Sequence, residues 1–228
     1  WFFTLHAISV MLNNSVAYKN VVANGLVLDK EGNKMSKRLG NTIDPFMAVE
    51  KYGADAIRWY MLSNAAPWDN LKFGLDGVVE TQRKFFGTLH NTYEFYALYA
   101  NIDQFKNQHD LVPFKKRTEL DRWILSKLNS LTKLVEEAMD DYEPTKATRA
   151  IQSFVIDDLS NWYVRLNRRR FWKGEISQDK IAAYQTLSTC LEQIAILMCS
   201  FSPFYADNLY QNLTFSKASV HLQDFPSV

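Results

Sequence analysis

Apolar residues return at three- and four-residue intervals along most of this 228-residue chain, and polar interruptions divide the pattern into a series of predicted helices. Phe2, Leu5, Ile8 and Leu12 fall on one face of a helix over residues 1–13. The period then changes. Val21-Val22-Ala23 and Leu26-Val27-Leu28 read as short strands about Asn24-Gly25, a tight turn or a bulge. Asp29 to Gly32 is a turn into a polar loop. Asp44 before Pro45 marks a helix start, because proline at the first helical position gives up an N–H that the helix does not use. That helix stops near Tyr52-Gly53, and Asp55 is the expected cap of the next, with Ile57, Tyr60 and Met61 turned inward. After a break at 65–70, a long amphipathic helix is predicted from 75 to about 100, with Val78, Phe85, Leu89, Thr92 and Phe95 near one stripe. Residues 101–117 form a polar connector. Further helices are predicted over about 119–141, 144–173, 177–201 and 203–213, with Pro144 at a start and Ser177 as an N-cap. Short loops make successive helices antiparallel. The expected fold is therefore mainly α, an antiparallel helical bundle over 75–228 preceded by a small α/β unit over 1–74.

Composition sharpens this picture. Apolar residues make up 47% of the chain, with only 8 glycines and 6 prolines, which fits a packed, helix-rich fold. The net charge is +1, so any contact with nucleic acid has to come from a local basic patch. Cys190 and Cys199 lie in an apolar helical pattern and read as buried thiols of a reducing compartment. The four histidines are scattered, and no metal-ligand spacing is present. The longest apolar stretch, 187–201, contains Glu192 and is not read as a membrane span. The chain opens on Trp1-Phe2-Phe3 within an amphipathic segment and is read as a piece of a longer protein.

Two stretches carry chemistry. In Lys34-Met35-Ser36-Lys37-Arg38-Leu39-Gly40-Asn41, two ammonium groups sit three apart in a loop flanked by Gly32 and Gly40. Point charges on a hinged loop suit the oxygens of a polyphosphate. A bare Lys-x-x-Lys is more often a solvated turn. The second stretch places Arg165, Arg168, Arg169, Arg170 and Lys173 among Trp162, Tyr163, Phe171 and Trp172, with no acid between. Trp162, Arg165 and Arg169 share one helical face, and Tyr163 and Arg170 share another. Such a surface can pair with phosphates and stack on unpaired bases. The alternative puts Trp162 and Phe171 in the core and pairs the arginines with Asp157, Asp158 or Glu175. Lys115-Lys116-Arg117 reads as a solvated part of the connector.

The octet resembles the second signature of the class I aminoacyl-tRNA synthetases, whose usual form has serine where this chain has Arg38. Ile43-Asp44-Pro45 and the run from Tyr52 to Trp59 resemble the segment that follows that loop in the isoleucine, valine, leucine and methionine branch. The run from Asp158 to Arg165, the stretch Asn167-Arg168-Arg169-Arg170 and the final Ser219-Val220-His221-Leu222 are most similar to the isoleucine-specific members. The resemblance implies ATP-dependent activation of isoleucine to its adenylate, then transfer to tRNA(Ile). It implies Lys34 and Lys37 as catalytic groups, with Lys34, Met35, Ser36, Lys37 and Arg38 against ATP and its Mg2+. It also implies Trp162, Arg165, Arg168, Arg169, Arg170 and Lys173 against tRNA. On this reading residues 1–74 close a catalytic domain, with the lysine loop at 30–41 and a helical connection after it, and 75–228 bind the anticodon stem-loop. A monomeric cytoplasmic enzyme with no metal site in this stretch is expected. The stretch alone should activate no amino acid, because the first nucleotide-binding signature, the amino-acid pocket and the editing insertion are missing. The rivals are a valyl, leucyl or methionyl relative, and a non-catalytic tRNA-binding helical module.

Overall fold

The computed structural model describes residues 1–105, 110–172 and 174–227. Helix α1 (Phe2–Asn13) is followed by an extended segment and strand β1 (Val27–Leu28). The lysine loop comes next, then α2 (Pro45–Tyr52) and α3 (Ala54–Asn64). Strand β2 (Leu71–Lys72) pairs with β1 in parallel, Val27 opposite Leu71 and Leu28 opposite Lys72. Helix α4 runs unbroken over 75–102 with one wide π-type turn at Gln82–Phe86. Three further long helices follow: α5 (Glu119–Asp140), α6 over 144–172 and α7 (Gln178–Met198). Helix α8 (Pro203–Thr214) precedes the tail. Most of the predicted boundaries hold because the stop and start signals are local. Asp44 accepts the Phe46 N–H at 2.8 Å, and Ser177 accepts the Lys180 N–H at 3.2 Å. At α5, Thr118 and Asp121 form a reciprocal capping box.

Two cores result. The larger fills the space between α4 and α8 with fully buried Leu89, Ile124, Leu128, Ile151, Leu159, Tyr184, Leu187 and Leu191. The smaller lies under the lysine loop, where Ala56, Leu71, Phe73 and Val78 meet Met35, Ile43 and Ile57. Helix α3 belongs to both. Trp59 turns to the bundle and stacks on Phe85 at 4.1 Å between ring centroids, while Ala56 turns to the smaller core. Polar bonds lock that joint. Arg58 donates to the carbonyls of Phe201 and Ser200, and Arg149 of α6 donates to those of Ser63 and Asn64 at the end of α3. The loop unit and the bundle thus share one clamped helix.

Four expectations change. Asp55 does not cap its own helix: Gly53 occupies that position, and the Asp55 carboxylate accepts the Tyr205 N–H at 2.6 Å, in the first turn of α8. Residues 21–23 form no strand, and Asn24-Gly25 is neither hairpin turn nor bulge. Gly25 instead lies where two backbones cross. Its N–H donates to Pro67 at 2.8 Å, and a Cβ there would stand 2.1 Å from the Asp69 carbonyl oxygen. Arg117 is no solvated residue. It is buried, donating to Val112 O at 3.1 Å and Thr186 Oγ1 at 2.8 Å, which ties the connector to α7. Helix α1 forms as expected, yet its stripe of Phe2, Leu5, Ile8 and Leu12 is exposed.

Candidate functional site

The lysine loop grows out of β1. Leu28 bridges to Lys34, and between them Asp29 N–H donates to the Asn33 carbonyl at 2.9 Å while Gly32 turns the chain at φ 94°. The Asp29 carboxylate is buried beneath this turn. It accepts the Asn33 N–H at 2.7 Å and the Asn41 amide at 2.9 Å. Donation by Asn41 first, and by Asn33 second, holds its pKa below the usual carboxylate value. Asn41 in turn accepts the Ser36 N–H at 2.8 Å and approaches the Lys34 carbonyl at 3.3 Å. The Ser36 hydroxyl accepts the Arg38 N–H at 3.2 Å, capping a single 3-10 turn at Lys37–Leu39 that Gly40 ends at φ 66°. Met35 points down into the smaller core, beside a 190 Å³ cavity lined by Val27, Ile43, Ile57 and Phe73. Lys34, Lys37 and Arg38 point away and are exposed, and among the described residues no ion pair holds any of them. The framed loop therefore presents three unpaired cations to whatever approaches. Of the residues grouped with ATP, Ser36 shapes the turn and Met35 anchors it, so the charges at 34, 37 and 38 are what the loop exposes.

The basic stretch splits into two faces of α6. Arg165, Arg168 and Arg169 are exposed together with Trp162, Leu166 and Trp172, each of these three more than half accessible. Of the acids that could have neutralised them, Asp158 pairs with Lys127 at 3.2 Å and Asp157 accepts from the Ser153 hydroxyl at 3.0 Å, and among the described residues no ion pair joins Asp157, Asp158 or Glu175 to these arginines. A guanidinium beside an accessible indole is suited to phosphates and to the faces of unstacked bases. Phe171 and Tyr163 lie on the other face, in the core.

Arg170 also lies on that inner face, which corrects its grouping with the exposed Arg165, Arg168 and Arg169. Its guanidinium forks onto Asp121 at 2.7 and 2.9 Å and onto Asp179 at 2.8 and 3.1 Å. The Tyr163 hydroxyl completes the cluster by donating to Asp121 at 2.6 Å. Burial alone would raise the Asp121 pKa, but Arg170 and then Tyr163 outweigh it, and the carboxyl is held below its usual value. Burial first, and the same carboxylate second, push the Tyr163 hydroxyl well up. Lys173 lies outside the described residues. Sequence periodicity gives no task to Asp29, Asn41 or Asp121. The Asp-x-x-Gly spacing is a turn signal for the first and Thr118-x-x-Asp121 a capping-box spacing for the last, while Asn41, and the pairing of Asp121 with Arg170, act through partners that no local pattern marks.

Comparison with known proteins accounts for both regions. Residues 1–73 match the family of class I tRNA synthetases (I, L, M and V), and residues 121–228 match the anticodon-binding domain of tRNA ligase. Among solved structures, the whole fold resembles the ternary complex LeuRS–tRNA–LeuAMS of Agrobacterium radiobacter. That match has a TM-score of 0.73 at 19% identity and covers 99% of this chain and 26% of that one. It also resembles methionyl-tRNA synthetase of Mycobacterium tuberculosis in complex with methionyl-adenylate, with a TM-score of 0.68 at 21% identity over 82% of this chain and 36% of that one. The chain belongs to the class I aminoacyl-tRNA synthetases. Within that class it is similar to isoleucine–tRNA ligases. It is 66% identical to the one from Cytophaga hutchinsonii over 100% of this chain, 62% identical to the one from Bacteroides thetaiotaomicron over 99%, and 48% identical to the one from Thermus thermophilus over 99%. The chain spans about a fifth of the length of these relatives, 21%, 20% and 22% in turn.

Proposed function

We propose that the protein of which this chain is a part activates isoleucine with ATP and transfers it to tRNA(Ile), and that this chain supplies the phosphate-facing loop and the anticodon-facing surface. The observation that carries the reading is the pair of unneutralised ammonium groups, Lys34 and Lys37, raised on a framed loop in a chain this similar to isoleucine–tRNA ligases. In the first step the isoleucine carboxylate attacks the α-phosphorus of ATP, and the bond to the bridging oxygen of pyrophosphate breaks. Negative charge builds on the departing diphosphate. Cations fixed beforehand lower that barrier without reorganising, and each such donor is worth about 3 kcal/mol. Lys37 sits at the head of the capped turn and is assigned the closer contact, with Lys34 beside it and Arg38 at the edge. Mg2+ enters with ATP as part of the substrate.

The second step needs tRNA held while its terminal ribose hydroxyl takes the acyl group. Trp162, Arg165, Arg168 and Arg169 are assigned to the anticodon stem-loop, whose splayed bases offer faces for stacking and whose phosphates pair with arginine. The division between a catalytic remnant over 1–74 and an anticodon-binding bundle over 75–228 follows from this. The open apolar face of α1 then packs on the remainder of the catalytic domain. A monomeric enzyme acting in the cytoplasm completes the proposal. The test is amino-acid-dependent ATP–pyrophosphate exchange by the full-length protein with isoleucine, valine, leucine and methionine in turn. Turnover should be greatest with isoleucine; greater turnover with one of the other three would reassign the specificity.

A further inference from the structure

We propose that Asp29 and Asn41 form a clasp that aims the two lysines, which makes both of them positioning residues for the activation step. The inference rests on the function proposed above. A carboxylate only accepts hydrogen bonds, whereas a side-chain amide has one donating and one accepting side. With Asp29 accepting from it at 2.9 Å, the Asn41 amide has to turn its oxygen to the Ser36 N–H, where it accepts at 2.8 Å. Its NH2 group also reaches the Lys34 carbonyl at 3.3 Å. Asn41 therefore brackets Met35 from both sides. One bond fixes the backbone of Lys34, and the other fixes Ser36, whose hydroxyl caps the turn that begins at Lys37. Met35, anchored in the smaller core, pins the same segment from below. Asp29 is buried, yet no ion pair reaches it among the described residues; amide and backbone N–H groups alone hold it. An asparagine at 29 could accept the Asn33 N–H equally well. The carboxylate differs in being unable to donate, and this is what fixes the direction of the amide opposite.

The test uses the full-length protein and exchanges the two groups. Asn41→Asp sets carboxylate against carboxylate. Asp29→Asn with Asn41→Asp restores a donor and an acceptor across the clasp, and the residue at 41 still accepts the Ser36 N–H, but a carboxylate there has no donor for the Lys34 carbonyl, so the recovery is partial. Asn41→Asp and Asn41→Ala should each lower kcat for isoleucine-dependent pyrophosphate exchange by about 30- to 100-fold, the cost of misplacing a catalytic group by roughly 1 Å. The KM for isoleucine, the affinity for tRNA and acyl transfer from preformed isoleucyl-adenylate should stay within about twofold of wild type. The double variant should regain at least about tenfold of the loss shown by Asn41→Asp. Wild-type kcat in both single variants overturns the clasp. So does a double variant no faster than Asn41→Asp, or a loss spread evenly over activation, transfer and tRNA affinity. Lys37→Ala, measured alongside, separates the two levels. If it keeps full exchange activity, the function assigned to the loop is wrong; if it loses activity while the variants at 41 do not, the clasp alone fails.

Discussion

Arg170→Ala and Arg169→Ala change neighbouring arginines, and the structure demands opposite consequences. Arg170 is largely buried, with 13% of its side chain accessible, and its main partner Asp121 is completely covered at 0%. Removing one member of such a pair strands the other, at a cost of about 3–5 kcal/mol. For a chain of this size that lowers the melting temperature by roughly 6–20 °C. Arg169 has no ion-pair partner among the described residues and is exposed, so its loss should stay within about 0.5 kcal/mol. The assay is thermal and urea unfolding of this chain followed by circular dichroism, repeated from pH 7 downwards. Asp121 has a folded-state pKa depressed by Arg170, so its contribution is present above the unfolded value near about 4 and is lost as pH falls through the folded value. In Arg170→Ala only the hydroxyls of Tyr163 and Thr118 still hold that pKa down, against burial, the largest influence, which raises it. Protonation then relieves the variant first, and the stability gap from wild type should close as the pH drops below about 4. Equal melting temperatures for the two variants at pH 7 would refute the reasoning. So would an Arg170→Ala protein of full stability and weakened tRNA binding, because Arg170 would then belong to the RNA-facing set.

Asp55→Ala should destabilise the chain by about 1 kcal/mol, because α8 loses the acceptor for its Tyr205 N–H, while Asp55→Asn keeps that acceptor. Burial raises the Asp55 pKa, so the charged form is penalised at neutral pH. Asn should therefore do best against Asp at pH 7, an advantage that fades as the pH falls through the folded-state value; an advantage that grows on acidification would contradict this. Gly25→Ala should cost about 2–3 kcal/mol in urea unfolding, because the new Cβ meets backbone 2.1 Å away that cannot yield; a neutral result would mean the crossing at 67–70 is looser than described. Replacing Arg168 and Arg169 together by Ala should flatten the salt dependence of tRNA binding by about 0.7 for each phosphate left without its arginine; an unchanged slope would remove them from the interface.

What the sequence disclosed and what it withheld divide by the distance between partners. Helix periodicity, the Asp44 and Ser177 caps and the lysine octet are properties of short windows, so the bundle and the loop were legible along the chain. Arg170 could not be separated from Arg168 and Arg169 in that way. All three are identical in type and adjacent, and only the fold brings Asp121, on a different helix, under one of them. The Asp55 carboxylate looked like a local cap because aspartate at a helix start usually is one, yet its acceptor is used by a helix that begins at Pro203. Gly25 suggested a turn on the same local logic, and a second backbone segment at 67–70 decides its role. Arg117 sat in a polar run and still became buried, because Thr186 and the Val112 carbonyl satisfy its guanidinium inside the bundle.

The division of labour between loop and helix is tested most directly by crossing two variants with two assays in the full-length protein. Lys37→Ala and Arg169→Ala are each measured for isoleucine-dependent pyrophosphate exchange and for the dissociation constant of tRNA(Ile). The account predicts about a hundredfold loss of exchange with unchanged tRNA affinity for the first. For the second it predicts unchanged exchange and weaker tRNA binding. Variants that impair both assays alike, or the reverse pairing of losses, would contradict it.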